Sequence, residues 1–210
     1  MKSELPLPCQ ACSTREPVNV KLNANWWEWT CSACGHENSV LSAAGWTLGW
    51  RILEKTKYEF LIREDFSTSI VFSAMAFEAE LARLFFKWTK IDTRNERLLT
   101  MSDEELDDEY RKLGRNIAER LESVTKLLDP RGVDDFARDS ELGGQIDKDF
   151  PSLNLGSLAR DFQQSLFWPR NRILHTGYAD YTKDDALRCH NIALVGLTLL
   201  REMDTARRTT

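Results

Sequence analysis

Ile70-Val71-Phe72-Ser73-Ala74-Met75-Ala76-Phe77-Glu78-Ala79-Glu80-Leu81-Ala82-Arg83-Leu84-Phe85-Phe86-Lys87-Trp88 decides the fold class. Ile70, Phe72, Met75, Phe77, Leu81, Leu84, Phe85 and Trp88 recur at helical spacing, around most of the circumference. A helix that is apolar on so many sides is a buried one. Ser67 or Ser69 stands where its N-cap is expected.

The helical pattern continues outward from this stretch. Ser102-Asp103-Glu104-Glu105 is a capping box that opens an acidic helix running to about Leu113, where Gly114 can break it. Residues 116–128 carry Ile117, Leu121, Val124 and Leu128 at three-to-four spacing, and Asp129-Pro130-Arg131-Gly132 stops them. Residues 131–156 read as a long excursion with one short helix at 133–138. Ser157 is placed to cap a helix through Phe167. Thr182-Lys183-Asp184-Asp185 caps a last helix that buries Cys189, Ile192, Val195, Gly196, Leu199 and Met203. Toward the N-terminus, residues 46–60 read as an irregular first helix or connector, interrupted early by Gly49. No run after residue 45 alternates as a strand does, and no internal repeat is evident. The expected fold is therefore mainly α: a small β zinc ribbon over residues 1–44, then a bundle of four or five helices over 45–210.

Charge and composition narrow the function. The 210 residues are 42% hydrophobic and 29% charged, with only 10 Gly and 6 Pro, which excludes low-complexity and collagen-like classes. The net charge of −5 is concentrated: residues 101–150 hold 8 basic and 15 acidic groups, and the rest is near neutral. Tight duplex binding through a broad basic surface is disfavoured. The apolar run at 192–200 falls far short of the ~20 residues that span a bilayer, so no membrane association is expected. Residues 1–6 have no apolar signal core, so a cytoplasmic chain is expected.

Four of the five cysteines form two C-x-x-C pairs, Cys9/Cys12 and Cys31/Cys34. Two such turns can close a tetrahedral thiolate shell around one zinc ion, and Gly35 supplies the permissive backbone that such a turn needs. Residues 18–22 and 26–30 alternate with period two, with Asn23-Ala24-Asn25 between them as a turn. The arrangement resembles a zinc ribbon. Four thiolates leave no open coordination position, so the expected Zn2+ is structural. The rival is a pair of disulfides, disfavoured in a reducing compartment. Trp26, Trp27 and Trp29 are expected to fill the ribbon's own core rather than stack on nucleobases.

The remaining chemistry gathers at Phe167-Trp168-Pro169-Arg170-Asn171-Arg172-Ile173-Leu174-His175-Thr176-Gly177. Arg170 and His175 are five positions apart, about 140° around an α-helix, so a straight helix does not focus both on one point. Asn171 and His175 share a face and the amide can orient the imidazole. Gly177 can end the helix beside His175.

This stretch resembles the signature of the HEPN family of small helical domains: Arg, a polar neighbour, then His after four to six residues. The resemblance covers about residues 58–205. It implies a metal-independent endoribonuclease in which two copies of the motif meet across a homodimer. Arg170 would hold the scissile phosphate, His175 would move protons and Asn171 would support it. RNA supplies the 2′-hydroxyl nucleophile and the products carry 2′,3′-cyclic phosphates. The resemblance further implies a toxin or phage-defence effector, with an antitoxin or other protein as partner. The alternative is a non-catalytic HEPN and zinc-ribbon module that binds a nucleotide, nucleic acid or protein.

Glu78 projects from an apolar face, and a buried carboxylate requires a partner, for which Arg170 is the candidate; the alternative is an edge position that reaches water or pairs with some structural arginine. Glu80 lines up with Arg83 and Lys87 and reads as a solvated ion-pair row. Cys189 and His190 are adjacent on a helix and point about 100° apart, which disfavours a catalytic pair. Cys189 is expected to be inert.

Overall fold

The computed structural model describes residues 2–9, 12, 14–21, 26–41, 47–91 and 100–209. The chain is mainly α and divides into two compact units, Met1–Thr47 and Leu48–Thr210.

The first unit is two antiparallel hairpins. β1 (Lys2–Pro8) pairs with β2 (Arg15–Lys21), and β3 (Trp26–Thr30) pairs with β4 (Glu37–Leu41). Alternation announces β3 and most of β2. β1 escapes it because two of its seven residues are prolines, and Pro6 sits directly opposite Pro17, where neither ring has to donate to a ladder. β4 escapes it because Glu37, Asn38 and Ser39 are polar without a break. The expected turn at Asn23–Asn25 lies outside the described residues, as do the side chains of Trp26 and Trp27. Trp29 is half-buried.

The hairpins repeat each other, which sequence reading missed. Pro8↔Arg15 closes the first and Thr30↔Glu37 the second. Cys9 donates its amide to the Thr14 carbonyl at 2.9 Å, and Cys31 donates to the His36 carbonyl at 2.8 Å. Each pair of equivalents, Cys9 and Cys31 or Thr14 and His36, is offset by the same 22 positions. The repeat lies in turn geometry, with little beyond Cys-x-Ala-Cys in common, so residue identity hides it.

In the second unit, α1 (Leu48–Tyr58) runs into a π-helical turn (Glu59–Arg63) and then α2 (Phe66–Ile91). α3 (Asp103–Lys112) and α4 (Ile117–Leu128) follow. In the expected excursion the short helix is present as α5 (Val133–Asp139), and a second, unexpected helix follows it, α6 (Glu141–Asp149). Ser140 caps α6 by accepting the Gly143 amide at 3.1 Å. α7 (Leu158–Phe162) passes through a second π turn (Gln163–Phe167) into α8 (Trp168–Thr176), and α9 (Lys183–Thr209) closes the chain.

α2 is the centre, packed on α1, α9, α4 and α8. Its cap is Asp65, which takes the Thr68 amide at 2.9 Å and the Thr68 hydroxyl at 2.7 Å; these bonds hold its pKa below the usual carboxylate range. Ser67 and Ser69 point elsewhere, to the carbonyls of Ala179 and Thr56. Ser157 likewise makes no cap bond to its helix. Asp134 reaches across from α5 to accept the Leu158 amide at 3.0 Å. The capping box at Ser102 and Glu105 is present as expected.

Three packing expectations need correction. Glu80 is not solvated: it is 1% exposed, ion-paired to Arg83 at 2.7 Å, while Lys87 turns to Asp204 of α9, which also accepts from Trp88 Nε1 at 2.7 Å. Met75, expected inside, is 40% exposed. Nor does Gly49 interrupt α1: it lets α1 approach α2, since a Cβ there would sit 2.6 Å from the Ala76 carbonyl.

Gly196 plays the same part deep in α9. A Cβ would fall 2.4 Å from the Phe77 ring, which is itself wedged against Phe162 and Phe167. Gly196→Ala gains about 1 kcal/mol of helix propensity. It overpacks the core at a cost of about 1–3 kcal/mol. The pinned ring cannot retreat, so the second effect wins. Urea unfolding should show a net loss on the order of 1 kcal/mol; a stabilised variant would contradict this packing.

Candidate functional site

Two constellations carry chemistry, one in each unit. The first is the cysteine set. The Sγ atoms of Cys9, Cys12, Cys31 and Cys34 all lie within 4.8 Å of one another. Cys9 and Cys34 sulfurs are 3.6 Å apart, and those of Cys12 and Cys31 are 3.7 Å apart. Both separations cross between the hairpins, and both are well beyond the ~2.05 Å of a disulfide. Each turn aims a backbone amide at its second sulfur, from Thr14 to Cys12 and from His36 to Cys34. Thr14 adds its hydroxyl at 3.3 Å from the Cys12 sulfur, and its bonds lower that thiol's pKa. Gly35 takes φ +71° to close the second turn. His36 is exposed, and its contribution is its backbone. The four thiols form a set that can hold one metal ion.

The second constellation sits on α8. Pro169 removes the amide that an α-helix would aim at the Ser165 carbonyl, and the helix passes through a π turn just before it. The Cys189 thiol of α9 donates to that carbonyl at 3.3 Å. Burial pushes the same thiol's pKa up to about 12, so Cys189 is a structural donor and a poor nucleophile.

Beyond the π turn, Arg170 faces α2. Its Nη2 lies 3.9 Å from Glu78 Oε2, and its Nη1 donates to Asn171 Oδ1 at 2.9 Å. Glu78 is partly open, not buried, and it has a second cation that sequence reading missed: Arg120 Nη1 of α4, at 3.5 Å. Arg120 also stacks over the Tyr110 ring at 5.4 Å. Burial, together with the nearby Glu78 charge, pushes the Tyr110 hydroxyl's pKa well up. The Arg120 signal in the sequence was only an exposed-looking helical arginine, and nothing local linked it to α2.

His175 ends α8, where Gly177 takes φ +67° and donates its amide to the Ile173 carbonyl. The imidazole is exposed and holds no hydrogen bond among the described residues. Asn171 does not orient it: its amide oxygen accepts from Arg170, and no hydrogen bond joins the two side chains among the described residues. Helical pitch separates Arg170 from His175 by about 140°. The nearer cation by pitch is Arg172, which shares a face with His175 three positions on. Arg172 is stacked between two rings, 5.2 Å from Trp168 and 4.1 Å from Tyr178.

Comparisons of the chain with family models, with curated proteins and with solved structures return no match. Among the described residues, no helix is long and apolar enough to cross a membrane.

The third histidine is structural. Thr56 donates its hydroxyl to the Leu53 carbonyl at 2.5 Å, so at 2.6 Å His190 Nδ1 carries the proton and donates to Thr56. Burial, then the Lys57 charge, lowers the His190 pKa against the opposing pull of Glu54. The unfolded chain therefore binds the extra proton first. Stability should be full above about pH 6.5, the ordinary histidine value, and fall as the pH drops through the lowered folded value. Thermal melts at pH 7.5 and 5.5 should show a smaller acid loss in His190→Gln than in wild type.

Proposed function

We propose that the chain is a metal-independent endoribonuclease of HEPN type, working as a homodimer. The observation that carries this reading is the arginine on α8: its guanidinium is held between Glu78 and Asn171 at the partly open surface of a helix that ends in an exposed histidine. The 140° offset turns the two groups apart within one copy, so the pocket needs the same helix from a second copy. Arg170 binds the non-bridging oxygens and stabilises the charge that grows on phosphorus. One His175 takes the 2′-hydroxyl proton as the 2′-oxygen bonds to phosphorus. The P–O5′ bond breaks, and the second copy's His175 protonates the leaving 5′-oxygen. DNA lacks the nucleophile and stays intact. Glu78, shared with Arg120, is a positioning residue.

The four cysteines would hold Zn2+. A tetrahedral ion with Zn–S of about 2.3 Å places its sulfurs about 3.75 Å apart. The 3.6 and 3.7 Å separations match that spacing. The ion supplies cross-linking of the two hairpins, and the first unit supplies recognition of RNA or a protein partner. A toxin or phage-defence role, opposed by an antitoxin, fits this chemistry.

A non-catalytic binding module is the second reading, favoured by one observation: His175 has no hydrogen-bonding partner among the described residues to fix its tautomer, as an acid–base histidine ordinarily has. Cleavage assays separate the two. With EDTA present and the cysteine metal retained, wild type should cut RNA to 2′,3′-cyclic phosphate ends. His175→Ala and Arg170→Ala should each lose on the order of 10²- to 10⁴-fold, with Glu78→Gln milder. Mutants as active as wild type would overturn the reading.

The metal has its own check. The purified chain should carry one Zn2+, displaceable by Co2+ with thiolate-to-metal absorption. Cys31→Ser should lose the ion and unfold residues 1–47, while helical content persists.

A further inference from the structure

A cleft of about 660 Å³ opens between the π turn and α8 on one side and the start of α9 on the other. Neither Glu78 of α2 nor Arg170, which faces it, lines this cleft. Trp168, Arg172, Tyr181 and Arg188 line it together with Asp161 and Asp185. Both carboxylates are occupied at helix starts. Asp161 Oδ2 accepts the Asn154 amide at 2.6 Å and the Ser157 hydroxyl at 3.3 Å. Asp185 accepts the Thr182 amide and hydroxyl at 2.9 and 2.8 Å. Neither Arg172 nor Arg188 forms an ion pair among the described residues; the Arg188 charge reaches Asp185 only through space. The lining sums to zero formal charge, so any attraction for an anion is local, through guanidinium N–H groups that have no acceptor.

Arg172 is fixed for that task by the rings on either side of it. Such stacking orients the guanidinium plane and leaves its edge to donate. Trp168 is 61% exposed, a large flat apolar face beside a cation at the cleft mouth. Gln163 accepts the Ile117 amide through its carbonyl oxygen at 3.2 Å, which leaves its amide N–H groups to donate. By helical pitch Trp168, Arg172 and His175 fall within about 60° of one another, in a stripe that runs out of the cleft to the end of α8.

We infer that this cleft and stripe bind single-stranded RNA, one base stacked on Trp168 and its phosphate on Arg172. A base face needs a ring to stack on, and a phosphodiester needs donors that no carboxylate has taken. A sequence-tolerant strand site combines both. The volume is that of a small-ligand pocket rather than a duplex groove. A strand held here would be led toward His175. The inference rests on the ribonuclease reading for the identity of the polymer as RNA, while binding itself is independent of cleavage.

The test uses the full chain carrying His175→Ala, so that the probe survives. The probe is a fluorescein-labelled oligouridylate of about eight nucleotides, titrated by anisotropy at several salt concentrations. Adding Trp168→Ala or Arg172→Gln should weaken binding about 10-fold each. Arg172→Gln should also reduce the salt slope by about 0.7, one phosphate contact on a single strand. Arg138→Gln, whose side chain pairs with Asp135 on α5, should change nothing. Circular dichroism melts confirm that each variant is folded. Unchanged affinity in both cleft variants would overturn the inference, as would failure of the probe to bind. Competition by UMP at the oligomer's own concentration would assign the cleft to free nucleotides and overturn the strand assignment. Wild-type cleavage with unaffected cleft variants would sink the cleft and spare the nuclease; cleft-dependent binding without cleavage would do the reverse.

Discussion

Pro169 has no amide proton to give the Ser165 carbonyl, and the layer that carries both arginines and the histidine is built around that missing donor. The helix admits a π turn before the proline, and the Cys189 thiol reaches across from α9 to the stranded oxygen. An extra residue in a helix rotates everything after it by about 100°. That rotation turns Arg170 to α2 and Arg172 to the cleft. A π turn so close to the chemistry fits the general tendency of such bulges to occur at functional positions.

The two faces of α8 are handled differently. On the α2 side, Glu78 balances two guanidiniums, and all three side chains are between a fifth and a third exposed. Pairs that open to water hold geometry more than they add stability. The arrangement is better understood as aiming Arg170 than as holding α8 in place. On the cleft side, aromatic rings do the aiming. Ring stacking leaves the guanidinium charge unneutralised, whereas a carboxylate partner cancels it. Arg172 therefore keeps more capacity for an anion than Arg170 does.

How much of this could be read from residues alone depended on range. The capping box at Ser102, the cysteine spacing and the buried α2 face are local patterns, and each is present. Capping of α2 by Asp65 was missed because two serines downstream looked equally suitable and only the π turn places Asp65 at the boundary. α5 was anticipated to within one residue, but α6 was missed because Gly143 and Gly144 read as loop. Gly143 is instead a packing glycine, since a Cβ there would meet the Ala137 carbonyl at 2.0 Å. Glu80 was read as solvated from its i, i+3 and i+7 neighbours, but α9 covers that row with Asp204. Pairing of Glu78 with Arg170 was anticipated by asking what a carboxylate on an apolar face needs; a structural arginine was the alternative, but nothing local singled out Arg120 on α4.

Helix pitch gives the firmest constraint on any mechanism at α8. Arg170 and His175 are on one regular helix, so no side-chain rotation within a single copy makes them a compact pair without displacing Arg170 from Glu78 and Asn171. Arg172 and His175 need no such displacement. A composite pocket from two copies and a one-copy site centred on Arg172 are therefore the two geometries open to this helix. They make opposite demands on Glu78: the first needs its carboxylate to hold Arg170 at the surface, and the second is indifferent to it. The hydrogen bond from Arg170 to Asn171 suits the proposed composite pocket, because a guanidinium with one acceptor, a carboxylate 3.9 Å away and an opening to solvent keeps N–H groups for a phosphate oxygen.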